Sequence, residues 1–281
     1  MAPGCLFKKF QEPLLALRKN AAVMKLSIEA NLDYYFAEPT DVLLQIEAAM
    51  IPEQHIESAR IDVPDFLHFA RIDAQDAIGE RIWIRVAGQL KVDYQSTVIV
   101  NRIVSDCLSL ARIEPHLLPS DCVPYLMPSR YCPSDQFHNF VTATFGGLEG
   151  GAQLIAMRDW IESHMRYVPG ASTSQTTALD TFVHREGICR DYAHLLIGFA
   201  RAAGFPARIA SVYALGVKPQ DFHAVAEVFL GGEWHLVDAT GMANEGAMAK
   251  IGIGRDSADV SFLTAFGPMI MNAQSVRVQL A

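Results

Sequence analysis

Residues 185–209 read REGICRDYAHLLIGFARAAGFPARI, and the rest of the chain takes its meaning from the thiol near their head. Behind Cys189, the residues Ala193, Leu196, Ile197, Ala200 and Ala203 recur at the spacing of a helix with one apolar face, and Gly204 and Pro206 end the pattern. The spacing predicts a helix whose first turn holds Cys189. Unpaired backbone N–H groups and the positive end of the helix dipole favour an anion there, and the thiolate is the nucleophilic form of cysteine. A lone cysteine entering an apolar helix is also how a small buried hydrophobe reads. Its partners have to separate the two.

Downstream, Ala207 to Leu215 reads as a strand, and residues 221–240, DFHAVAEVFLGGEWHLVDAT, read as a hairpin. Phe222, Ala224, Ala226, Val228 and Leu230 alternate with His223, Val225, Glu227 and Phe229, and Gly231-Gly232 is a two-residue turn signal. With that turn, Leu230 faces Glu233 and Asp238 faces Val225, so His223 lies one diagonal step from Asp238 on the same face. A slip of one residue would place them on opposite faces. In the counted register Asp238 can orient and stabilise His223, and His223 can take the thiol proton of Cys189 and later protonate a leaving group. Separately, His223 reads as a strand histidine and Asp238 as a turn residue; the trio points to nucleophilic catalysis.

The chain has 281 residues, enough for a large core and more naturally for two domains than one. A formal net charge of −8 argues against a general nucleic-acid or anionic-membrane binder. The five cysteines, Cys5, Cys107, Cys122, Cys132 and Cys189, are odd in number and scattered, which implies free thiols and a cytoplasmic setting. No cysteine or histidine spacing suggests a metal site. Residues 1–23 contain an apolar run too short for a signal core or membrane span and read as an N-terminal extension.

From Met24 to about residue 102, period-two alternation predicts five or six strands of an antiparallel sandwich, with Gly88 as a bulge or tight connection. Five prolines between residues 115 and 133 mark a boundary. The string YLMPSRYCPSD there places Arg130, Cys132 and Asp135 together, but without a nearby base it reads as a pinned loop. Residues 135–146, 148–167 and 176–185 read as helices. In the tail, Gly252-x-Gly254 lacks the context of a nucleotide motif, and Arg255, Asp256 and Asp259 suggest a loop tied over one edge of a cleft.

The ordered motifs G-I-C-R-D-Y-A (187–193), D-F-H-A (221–224) and W-H-L-V-D-A-T (234–240) resemble the transglutaminase-like superfamily, and within it the bacterial cysteine-protease branch. The resemblance extends over roughly residues 25–267 and includes YLMPSRYCPSD and IGIGRDSADVSFLTAFG (251–267). It implies Cys189 as nucleophile, His223 as base and Asp238 as orienting acid. It also implies an α+β protein: a β-sandwich-like unit over 24–115 and a papain-like core over 116–281. The expected reaction is acyl transfer from a peptide or amide through a thioester, most simply hydrolytic, with no cofactor. Protein transamidation, and a non-catalytic peptide-binding scaffold, are the alternatives. Where many relatives carry an aromatic residue after His-Ala, this chain has Val225, an expected change in the cleft wall. Asp191 is expected to stabilise the first helical turn. The Cys189 N–H should supply one oxyanion donor; Gln175 and Trp160 are candidates for a second by donor chemistry alone, neither favoured individually.

Overall fold

The computed structural model describes residues 23–281, so all but the last residue of the expected N-terminal extension lies outside the described residues. Four strands come first: β1 (Met24–Leu44), β2 (Gln54–Asp62), β3 (His68–Asp73) and β4 (Glu80–Val100). β1 and β4 each run through what the sequence divides into two strands. Their ladder skips between Phe36 and Thr40, which leaves Pro39 in an exposed bulge where no ladder N–H is required. Opposite Phe36, Gly88 adopts φ +83°, a conformation open to glycine at little cost. Both strands therefore bend together. Leu26, Ile28, Leu32 and Phe36 on one side of the bend, and Val42, Leu44, Ile82 and Ile84 on the other, close on a single core. The sandwich is one sheet curled over itself.

The segment from 101 to 137 is built of short turns. It leads into α1 (His138–Phe145), α2 (Gly150–His164), β5 (Arg166–Tyr167), α3 (Ala178–His184), β6 (Glu186–Gly187) and α4 (Cys189–Ala202). The strands β7 (Ala207–Ala214), β8 (His223–Leu230), β9 (Glu233–Val237) and β10 (Met248–Gly254) form a second antiparallel sheet in the order β10-β7-β8-β9. α4 is buried on almost all sides because it lies between this sheet and the other helices. Its buried Arg201 donates to the carbonyls of Ala207, Met127 and Arg255 and to Ser129 Oγ, knotting the proline-rich loop and the tail to one helix.

Two further strands, β11 (Leu263–Ala265) and β12 (Ile270–Leu280), return to the first sheet and pair with β1. The expected division at residue 116 assigned them to the second unit. Gly252 and Gly254, expected in a loop, lie within β10, where a Cβ at Gly252 would meet the Gln45 side chain and one at Gly254 would meet Asp259 Cβ at 2.4 Å. These glycines allow close contact with neighbouring elements. The sheets are joined where Tyr213 donates to the Ile46 carbonyl at 2.6 Å and stacks on Tyr94, its ring centroid 6.0 Å away.

Candidate active site

Cys189 occupies the first position of α4 and is largely buried. Its turn is shaped by Asp191, which is fully buried, accepts from the Ile188 N–H at 2.9 Å and pairs with Arg190 at 3.0 Å. That is the local role expected for it. The close approach requires Gly187, since a Cβ there would sit 2.7 Å from Asp191 Cβ.

The hairpin has the counted register. Leu230 faces Glu233 and Ala226 faces Val237 across Gly231 and Gly232, whose φ values of 63° and 93° are those of a tight primed turn. His223 Nε2 and Asp238 Oδ2 are 3.0 Å apart, both residues buried. Asp238 is itself held: Oδ1 accepts from the Thr240 N–H at 2.9 Å and its hydroxyl at 2.7 Å, and Oδ2 accepts from the Ala243 N–H at 3.0 Å. With Nε2 committed to Asp238, Nδ1 is the ring nitrogen left to the thiol; it is buried without a hydrogen-bond partner among the described residues.

Electrostatics favour a charged pair. Burial alone would lower the His223 pKa, but hydrogen bonding to Asp238 and interaction with Cys189 outweigh it and raise it to about 10. Burial works against the Asp238 carboxylate too, and His223 and Thr240 overcome it, holding its pKa below the ordinary value. Burial pushes Cys107 and Cys122 up to about 11 and Cys132 up to about 12, so they remain protonated and unreactive near neutral pH.

Cys189 and His223 open onto a cleft of about 650 Å³. Tyr167 also lines it, on the strand that pairs with Gly187 two residues before Cys189. Burial, then the charge of Cys189, raises the Tyr167 pKa to about 12, so it stays an O–H donor. The sequence reading missed this residue. Tyr167 sits on the two-residue strand β5, paired to Gly187 of β6 just before the cysteine, and so short an element leaves no periodic signal. Trp160 instead stacks on His164, with ring centroids 4.4 Å apart, and lies under Arg185; neither it nor the exposed Gln175 lines the cleft.

Two further expectations change. Val225 is wholly buried under the sheet with Ala210 and Leu236 and is not a cleft wall, so the missing aromatic residue leaves the cleft untouched. Arg130, Cys132 and Asp135 do not converge: Cys132 is core, Asp135 is exposed, and Arg130 reaches the cleft alone. The tail loop is tied as expected, with Asp259 accepting from the Arg255 N–H at 3.0 Å and Asp256 from the Tyr131 N–H at 2.9 Å. Among the described residues no group of three or more His, Cys, Asp or Glu is placed to hold a metal, and no helix is long and apolar enough to cross a membrane.

Comparison with known proteins gives the same picture of the core. The transglutaminase-like superfamily model matches residues 142–239, from α1 to the residue after Asp238. The solved structure of the "Putative Cysteine Protease from Cytophaga hutchinsonii" is 30% identical, with a TM-score of 0.86 over 92% of this chain and 91% of that one. The periplasmic domain of TgpA from Pseudomonas aeruginosa is 16% identical, with a TM-score of 0.40 over 80% of this chain and 92% of its own. A Mycobacterium leprae protein described as uncharacterized is 28% identical over 116 residues, which are 38% of this chain and 42% of that relative. The chain thus spans less than half the length of that relative. None of these likenesses supports the cytoplasmic placement read from the cysteines.

Proposed function

The chain belongs to the transglutaminase-like superfamily, and from that premise we propose that it is a cysteine-dependent acyl-transfer enzyme that hydrolyses peptide or amide bonds. The observation that carries the reading is the buried His223–Asp238 pair, 3.0 Å apart, with the ring's free nitrogen left to Cys189 in an open cleft. Cys189 is the nucleophile, His223 the proton carrier and Asp238 the group that holds His223 charged and oriented.

The thiolate sulfur of Cys189 attacks the carbonyl carbon. The carbonyl oxygen takes the resulting negative charge, and we assign the Cys189 N–H and the cleft-lining Tyr167 hydroxyl as its donors. The carbon–nitrogen bond then breaks as the His223 Nδ1 proton moves to the leaving nitrogen, which departs as a neutral amine and leaves a thioester on Cys189. Water gives a proton to Nδ1 while its oxygen attacks the thioester carbonyl. Breaking the carbon–sulfur bond releases the acid and restores the thiolate–imidazolium pair. Hydrolysis is preferred over transamidation because water alone completes this cycle.

Iodoacetamide labelling of Cys189 across pH, in wild type and His223→Ala, tests the nucleophile and its base, together with turnover of casein and of a glutamine-amide donor with and without an added amine. A Cys189 that labels no faster than an ordinary thiol near neutral pH, with labelling indifferent to the histidine, refutes the reading. So does turnover that survives Cys189→Ala.

A further inference from the structure

The charged side chains lining the cleft are unevenly placed. Arg130 and Arg190 are gathered about Tyr131, Thr173 and Ser174, whereas Asp221 lies against Gln274 of β12, two residues before His223. Arg190 is compensated, with Nε and Nη2 bonded to the buried Asp191 carboxylate and Nη2 also to the Thr173 carbonyl. Arg130 makes no ion pair among the described residues and lies over the Tyr131 ring, 4.9 Å from its centroid. That ring is held in place. The Tyr131 backbone N–H donates to Asp256 at 2.9 Å, the ring hydroxyl donates to the Ser174 carbonyl at 2.8 Å, and the ring face stacks on buried His194 at 5.3 Å between centroids. Arg130 is thus an uncompensated cation resting on a rigid platform at the cleft wall. Asp221 is the reverse case: Oδ1 accepts from the Phe222 N–H and Gln274 Nε2, and no cation pairs with it among the described residues.

The proposed chemistry orients a substrate between these two groups. His223 must reach the leaving nitrogen, so the amine half of the substrate lies on the His223 side, where Asp221 stands two residues upstream. The acyl half is then left to the other group of lining residues, the one that holds Tyr131, Ser174 and the two arginines. A carboxylate on the acyl half meets the free guanidinium; in the opposite orientation it meets Asp221 and is repelled. We infer that this cleft selects an acyl donor carrying an acidic side chain, held by Arg130, on the acyl side of the bond that is broken. The inference rests on the assignment of Cys189 and His223 as the reacting pair.

Three peptidyl acyloxymethyl ketones that differ only in one residue of the acyl half, Glu, Gln or Lys, separate the two. The thiolate displaces the acyloxy group as a carboxylate and forms a stable thioether, so the inactivation rate reports recognition without needing a known substrate. Rates are measured on wild type and Arg130→Glu, with the adduct located by mass spectrometry and folding checked by thermal melting. Wild type is expected to react with the Glu probe about five- to twentyfold faster than with the Gln probe, the range of a charge-assisted contact near the surface, and the preference should weaken with salt. Arg130→Glu should abolish or invert the order, with the Lys probe gaining. Equal rates for the three probes on wild type, or a Glu preference untouched by Arg130→Glu, overturn the inference while leaving the reaction class standing. Failure of all three ketones and of iodoacetamide to modify Cys189 removes the reaction reading and the inference with it.

Discussion

Replacing Asp238 by asparagine isolates the contribution of one charge. The carbonyl oxygen of asparagine can still accept from the Thr240 N–H and hydroxyl, as Oδ1 does now. The amide nitrogen would then occupy the place of Oδ2, which accepts from His223 Nε2 and the Ala243 N–H, each at 3.0 Å. An NH2 there faces the Ala243 N–H donor to donor. It can bond only to an unprotonated Nε2, which moves the ring proton to Nδ1 in a neutral imidazole that cannot accept the thiol proton. A hydrogen bond to a charged partner contributes about 1.5–3 kcal/mol, and each pKa unit is about 1.4 kcal/mol, so the imidazolium should lose about one to two units from its raised value. With the counter-cation beside it weakened, Cys189 should be alkylated more slowly near neutral pH. The iodoacetamide rate profile of Asp238→Asn should move to alkaline pH by about one to two units, a fall of about 10- to 100-fold near neutrality. The other described thiols, at about 11 to 12, contribute little below pH 9, and mass spectrometry confirms the adduct site. A profile superimposable on wild type would mean that Asp238 does not sustain the charge on His223 and would refute the argument.

Tyr167→Phe removes the hydroxyl proposed to serve the oxyanion and leaves the nucleophile; turnover should fall about 100-fold while the iodoacetamide rate stays within about threefold of wild type. Gly187→Ala forces a methyl group to 2.7 Å from Asp191 Cβ and should destabilise the fold by about 1–3 kcal/mol in denaturant titrations and slow Cys189 labelling. Glu227→Gln leaves buried Lys250 without its carboxylate and Arg208 with Asp76 alone, 3.5 Å away, and should lower stability by about 3–5 kcal/mol. Burial alone would raise the Glu227 pKa, but the two cations hold it below its ordinary 4.5, so the wild-type advantage is full above that value and should narrow as pH falls through the lower folded pKa, which melting curves at several pH values will read.

The parts legible in the sequence are those where local pattern leaves a single solution. α4 reads from its apolar spacing and its Gly-x-Pro stop. The hairpin reads because a two-residue turn and strict alternation permit one register, and that register puts His223 beside Asp238. β12 lacked such a signal: only Val276 and Val278 are buried along it, and its partner β1 lies at the other end of the described chain. β10 was hidden by Gly252 and Gly254, which a local reading takes for a loop and the structure uses for close contact with Gln45 and Asp259. Tyr167 was hidden for a different reason. Its importance comes from a two-residue parallel pairing with the segment before Cys189, and nothing in its neighbourhood predicts that contact.

The curled first sheet bears on the chemistry through that late strand. β12 pairs with β1 along most of its length, and from there Gln220 exchanges two hydrogen bonds with Val278, at 2.8 and 3.3 Å, while Gln274 donates to Asp221 at 2.8 Å. These contacts hold the loop that ends at His223. Thr264 of β11 and Gln274 of β12 also line the cleft, so one wall is supplied by the sheet that the chain begins with. The first sheet is therefore more than a support for a separate catalytic unit. It positions the approach to the proposed base and closes one side of the groove where a substrate would lie.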